Sequence, residues 1–269
     1  MEVLERLDAL APLSPKAAGF WDVHAYGCVQ STNELVKAAL REGAAEGYCA
    51  TALQQSGGYG RQGRSWQSPQ GGLYTSFALR PNVPMEQLPT LSLVVSLACA
   101  DALEQAKPGC EPLIKWPNDV LCPQGKLVGI SLEALAGGVC VGVGMNLFQP
   151  QEQQPIAGKY RQAYVFEDKV QPGLSEEQRA AMGKVLEFML QEVERRYVVW
   201  AEQGFEAFYQ EYSNRFAYKG KQATLTTITG EQTTAGTIQG VDHKGNLLVQ
   251  TPEGLKPMAS GEVHIEALG

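Results

Sequence analysis

The sequence predicts an α+β protein in two parts. Residues 1–215 form a large domain, and residues 216–269 form a small β-rich domain. Three observations carry this. Strand-like and helical runs alternate from Val23 to Asn146 and close in a hairpin. Ser175-Glu176-Glu177-Gln178 is a capping box that opens a long helix. After Phe216 the chain breaks into about five short strands separated by turns, the spacing of a small β-barrel.

The elements follow in chain order. Residues 1–21 hold a short helical run and a Pro/Ser stretch, too little for a helix-turn-helix domain. Val23 to Val29 reads as a strand, and Ser31-Thr32-Asn33 opens a helix to about Arg41. Leu35, Ala38 and Ala39 are expected inward, with Gly43 as the stop. Tyr48 to Leu53 and Leu73 to Leu79 read as strands, and Pro89 to Ala106 as a helix buried on most sides. Pro112 to Lys115 is a short strand running into a turn at Pro117. Lys126 to Leu135 and Val139 to Asn146 form a hairpin about Ala136-Gly137-Gly138. Residues 149–173 are Gln/Pro-rich and read as loop. The helix behind the capping box turns Met182, Val185, Leu186, Met189, Val193 and Tyr197 to one side and ends near Gly204. A second short helix carries Phe205, Phe208 and Tyr212. The expected turns in the last part lie at Thr229-Gly230, Asp242 to Gly245 and Pro252 to Gly254.

Composition narrows the functional classes. A net charge of −7 argues against non-specific nucleic-acid binding, which depends on neutralising phosphates, though a local cationic pocket remains open. The six cysteines are scattered without a CxxC pair, and the three histidines show no zinc spacing, so a reducing cytoplasm is the expected setting. No signal peptide or membrane-length apolar run is read.

The most informative stretch runs from Gln55 to Trp66. Gly57, Gly58, Gly60 and Gly63 oppose regular structure and leave backbone amides able to approach an anion. Arg61 and Arg64 add guanidinium forks, and Trp66 offers a face for a purine. The same stretch also reads as a solvated loop with two surface arginines and a core tryptophan. It is neither a Walker A loop nor a dinucleotide fingerprint.

Read together with Ser31-Thr32-Asn33, Lys115-Trp116-Pro117-Asn118-Asp119, Gly125-Lys126-Leu127-Val128-Gly129-Ile130 and Gly142-Val143-Gly144-Met145-Asn146, the loop falls into an ordered series. Over nearly the whole chain this resembles the biotin–protein ligases, in the form without an N-terminal DNA-binding domain. The last part, with Gly240-Val241-Asp242 and Gly261-Glu262-Val263, is similar to that family's SH3-like domain. The resemblance implies a catalytic domain like that of class II aminoacyl-tRNA synthetases, with a mixed, largely antiparallel sheet. It implies that biotin and ATP give biotinyl-5′-AMP with Mg²⁺, and that biotin passes to a lysine of a carboxylase carrier protein or domain. It also makes a homodimer plausible, and no specific DNA or membrane partner is expected.

The resemblance assigns residues as well. Ser31, Thr32, Asn33, Gln55, Tyr59, Gly60, Arg61, Lys126 and Gly129 are implied for biotin. Gly58, Arg61, Arg64, Trp66, Lys115, Asn118, Lys126 and Asn146 are implied for ATP. Lys126, Arg61, Lys115 and Asp119 are the catalytic candidates, with Asp119 also a candidate for Mg²⁺ or for the incoming lysine. The chemistry suits them: a ureido ring needs short donors and acceptors, and a carboxylate approaching a phosphate needs a cation between them. Each has a plainer reading. Ser31 or Thr32 caps a helix, Lys126 is a surface lysine, Lys115 and Asp119 pair across a turn, and the asparagines close turns. The family's loop usually reads Gly-Arg-Gly-Arg, and Tyr59 stands where the first arginine is expected. Two other functions stay open at this point: a lipoate or octanoate ligase or transferase of the same fold, and a non-catalytic biotin sensor.

Overall fold

The computed structural model describes residues 19–151, 161–226, 233–259 and 261–265. The expected N-terminal helical run and the Thr229-Gly230 turn lie outside them. A seven-stranded mixed sheet holds the first part together, in the order β1-β2-β3-β7-β6-β5-β4. β1 (Asp22–Val29) and β2 (Tyr48–Gln55) are parallel, because α1 (Thr32–Arg41) returns the chain between them. β3 (Gly72–Leu79), β4 (Leu113–Lys115), β5 (Asp119–Cys122), β6 (Gly125–Leu135) and β7 (Gly138–Asn146) complete the sheet through antiparallel pairs. β5 has no counterpart among the sequence expectations.

The two faces of this sheet carry different residues, as the period of two in a strand allows. Phe77, Leu79, Val139, Val141 and Ile130 join a core with α2 (Leu91–Ala106) and α3 (Glu176–Gln203). The apolar patch on the opposite face is small: Ala50, Ala78 and Cys140 receive Val36 and Leu40 of α1. Next to it, Ser76, Gly142 and Gly144 continue that face with small or polar side chains. One face is therefore filled by helices, and the other leaves space.

α1 faces the sheet one residue away from the expectation. Thr32, Asn33, Val36 and Leu40 are buried, while Leu35 is half-buried and Ala38 exposed. The inward row runs through positions 32, 36 and 40, and it begins with a polar residue, so counting apolar residues alone misplaces it. α3 begins as expected: Ser175 Oγ accepts from Gln178 N at 3.2 Å, and Gln178 Oε1 accepts from Ser175 N at 3.1 Å. All six of its expected inward residues are buried. A 3-10 turn, Phe205–Phe208, leads into α4 (Tyr209–Asn214), and the following residues run beside β4, with Ile114 N donating to Arg215 O.

The C-terminal part is a five-stranded antiparallel sheet ordered β11-β10-β9-β8-β12. It comprises β8 (Gln222–Thr226), β9 (Thr233–Val241), β10 (Leu247–Thr251), β11 (Gly254–Met258) and β12 (Glu262–Ile265). Its β9–β10 turn docks on the larger part. Gly245, at φ +80°, fits where a side chain would meet Leu93 at 2.8 Å, and its carbonyl accepts from Trp116 Nε1 at 3.0 Å. No described helix is long and apolar enough to cross a membrane.

Candidate functional site

The open face of the sheet forms the floor of a cavity of about 500 Å³. The N-terminus of α1 and the loop after β2 wall it on one side, and the β4–β5 turn closes the other. Gly261 and Gln162, from distant parts of the chain, also border it.

One end is a cross-linked polar patch. Gln55 Oε1 accepts from Thr32 N at 2.8 Å and Thr32 Oγ1 at 3.1 Å, and Gln55 Nε2 donates to Ser68 Oγ. Ser76 Oγ lies 2.7 Å from Thr32 Oγ1 and donates to Asn33 Oδ1 at 2.6 Å, while Asn33 Nδ2 reaches Ser131 Oγ at 3.3 Å. Gly142 lets Asn33 lie flat on the sheet, since a Cβ there would meet Asn33 Oδ1 at 2.2 Å. Ser31 is the N-cap residue but makes no side-chain cap bond, so helix capping does not account for its hydroxyl. Apart from half-buried Gln55, these groups are buried yet border an open volume, the arrangement that orients a polar ligand.

The other end is cationic. Lys126 Nζ lies 2.6 Å from Asp119 Oδ1, and Lys115 Nζ lies 3.4 Å from Asp119 Oδ2. Burial alone would raise the Asp119 carboxyl, but the two ammonium groups outweigh it and hold the carboxyl below its ordinary value. The Lys126 backbone is fixed from both sides: its N–H donates to Arg161 O, and its carbonyl accepts from Ala163 N and Asn146 Nδ2. Asn146 therefore orients Lys126. Asn118 Nδ2 donates to Ile130 O, and Asn118 Oδ1 accepts from Arg61 Nη1 at 3.0 Å, which ties the glycine loop to the β4–β5 turn.

Trp66 lies between the two ends. Its ring rests on Gly129 and Gly144, where an added Cβ would meet the indole at 2.8 and 2.6 Å. Lys126 Nζ sits 5.0 Å from the ring centroid, a cation–π contact. The indole Nε1 is buried without a hydrogen-bond partner, a donor facing the floor of the cavity.

The donor set does not make a resident metal site. Among the described residues no group of three His, Cys, Asp or Glu side chains is arranged to hold a metal ion. Asp119 is the one carboxylate among the described lining residues, and it is already engaged by two lysines.

A model of the biotin/lipoate A/B protein ligase family matches residues 26–147, and one of the biotin protein ligase C-terminal domain matches residues 220–265. The chain is 28% identical to a biotin protein ligase from Aquifex aeolicus in complex with biotin and ATP, with a TM-score of 0.70 over 91% of this chain and 98% of that one. It is 31% identical to the bifunctional ligase/repressor BirA of Bacillus subtilis, over 88% of this chain and 72% of that protein. It is also 32% identical to a biotin–acetyl-CoA-carboxylase ligase of Paracoccus denitrificans, over 79% of this chain and 88% of that one. The chain belongs to the biotin protein ligase family.

In this ligase all but one of the residues assigned to biotin, ATP or catalysis border the same cavity. The exception is Gly58, which packs behind the wall: a Cβ there would meet Ser68 Oγ at 2.4 Å and Gln55 Nε2 at 2.7 Å. Its role is to admit that packing. Ser76, Ser131, Gly142, Gly144 and Gln162 also border the cavity and were not singled out as site residues. A signal for the first was present: Ser76 is a polar residue inside a strand of the ligase that is otherwise largely apolar, and β3 is buried along its whole length.

Proposed function

We propose that the cavity binds biotin and ATP together, forms biotinyl-5′-AMP, and passes biotin to a lysine of a carboxylase carrier domain. The observation that carries this reading is the placement of a buried polar patch and a lysine pair at opposite ends of one cavity. Biotin's ureido ring fits the patch around Thr32, Asn33 and Gln55. Its carboxylate then points toward Lys126, where the α-phosphate of ATP must also come. Lys126 shields the two anions from each other while the carboxylate oxygen attacks phosphorus and pyrophosphate leaves. In the second step the carrier amine attacks the acyl carbon and AMP leaves with the bonding electrons.

Asp119 has a depressed carboxyl, so it is a weak proton acceptor. Its geometry suits it to holding Lys115 and Lys126 in place. Magnesium is expected to arrive on the phosphates of ATP, because among the described lining residues the one carboxylate, Asp119, is already shared by two lysines. Arg61, Arg64 and the Trp66 face supply the remaining contacts for phosphate and base.

The test is incubation with biotin, ATP, Mg²⁺ and a biotin-carrier domain, reading the mass of the carrier. The reading requires a biotinyl gain that depends on ATP, and competition by lipoate or octanoate must be weak. Binding of biotin with no ATP-dependent transfer would instead mean a sensor.

A further inference from the structure

Tyr59 has partners unlike those of the rest of its loop. Its hydroxyl lies 2.7 Å from Glu34 Oε1 on α1 and 3.0 Å from Glu133 Oε1 on β6. Lys37 bridges the same two carboxylates at 2.8 and 2.9 Å, and its ammonium sits 5.2 Å from the centroid of the Tyr59 ring. Asn33, part of the polar patch, reaches Glu133 Oε1 at 3.5 Å. Two carboxylates thus face one ammonium, and a phenol supplies the missing donor without adding charge. Burial pushes the phenol's pKa up, so it keeps its proton.

The contact is transmitted through the loop. Tyr59 and Ser65 form a bridge pair, Gly60 N donates to Arg64 O, and Trp66 N donates to Gly58 O. The loop is therefore a small hairpin, and holding Tyr59 holds Arg61 and Trp66 with it. Ordering so many glycines carries an entropic cost that the loop's own side chains offset poorly.

We propose that Tyr59 is a positioning residue that latches the glycine loop to α1 and β6 through Glu34, Lys37 and Glu133, and so sets how long the cavity retains its adenylate. The latch joins the loop to the same helix that presents Thr32 and Asn33, which makes the two walls one unit. This rests on the reading that the cavity forms biotinyl-5′-AMP.

The experiment uses the full chain and has two arms. Without ligands, Tyr59→Phe should speed tryptic cleavage at Arg61 and Arg64 about tenfold, the loss of one hydrogen bond to a charged group. With biotin and ATP, the same variant should release preformed biotinyl-AMP about tenfold faster at an unchanged melting temperature. A Glu34→Ala, Glu133→Ala double variant should do likewise, and adding Tyr59→Phe to it should change nothing more. Tyr59→Arg should restore slow release, because a guanidinium fork can span two carboxylates. Wild-type cleavage and release in Tyr59→Phe would overturn the latch. Faster cleavage with unchanged release would overturn its role in retention. If the wild-type chain forms no adenylate at all, the functional reading fails, while the ligand-free cleavage still decides whether the tie exists.

Discussion

Lys126 enters the cavity with its charge already matched by Asp119, and that carboxylate is shared with Lys115. Removing the lysine and removing the carboxylate should therefore have different effects. Lys126→Ala removes the cation between two reacting anions, and adenylate formation should fall by about 10²–10³. Asp119 keeps Lys115 as a partner, so the variant should still fold, at a somewhat lower melting temperature; adenylate formed at the wild-type rate would place Lys126 outside the reaction. Asp119→Asn leaves two ammonium groups facing each other in a buried place and should destabilise the fold by about 3 kcal/mol, measured by urea unfolding at neutral pH. The pH dependence has a definite sign. The folded carboxyl lies below its ordinary value of 3.8, so its stabilisation is complete above about pH 5 and is lost as pH falls through the lower, folded pKa. A loss of the Asp119→Asn difference at pH 6 would contradict this. Trp66→Ala should weaken ATP by about 1–3 kcal/mol, the scale of base stacking, and affect biotin less; calorimetric titration with each ligand checks it. The lysines and Asp119 were legible because they stand in recognisable segments. The Lys115–Asp119 pair across the turn was legible as well, but Lys126 joining the same carboxylate was not, since nothing near either residue in sequence implies it.

Among the elements, legibility followed the strength of local chemistry. The capping box of α3 satisfies two helix-end donors with neighbours in sequence, so it could be read directly. Ser175→Ala should cost about 1 kcal/mol, visible as a lower urea midpoint with an unchanged slope. β5 was missed because it has only four residues directly after a proline turn, and its pairing with β4 and β6 is what makes it a strand. α1 was found but its buried side was misjudged, because Thr32 and Asn33 face inward to serve the cavity and not to fill a core. The glycines of β6 and β7 show the same effect. A strand interior with Gly129, Gly142 and Gly144 is weak by propensity, and the close approach of Trp66 and Asn33 explains why those positions are bare. Gly144→Ala should displace the indole and weaken ATP with little effect on stability; a Trp66 fluorescence spectrum identical to wild type would refute the displacement.

On the scale of the whole molecule, the two sheets meet at a contact that involves the site. Trp116 stands between Lys115 and the turn residues Asn118 and Asp119, and its indole donates to the carbonyl of Gly245 at the tip of the β9–β10 turn. Nearby, His243 pairs with Glu206 at 2.7 Å and stacks on Tyr209. The small sheet's presence was legible from its short strands and turns, but its attachment to Trp116 was not, because neither residue's neighbours in sequence imply the other. The consequence is thermodynamic. If the β9–β10 turn and the cavity open together, a ligand in the cavity must protect backbone far from itself. At a biotin concentration about 100 times its dissociation constant, coupled opening would slow by about a hundredfold, close to 2.7 kcal/mol. Amide hydrogen exchange across Leu247–Thr251 would then report occupancy of a site that none of those residues touches.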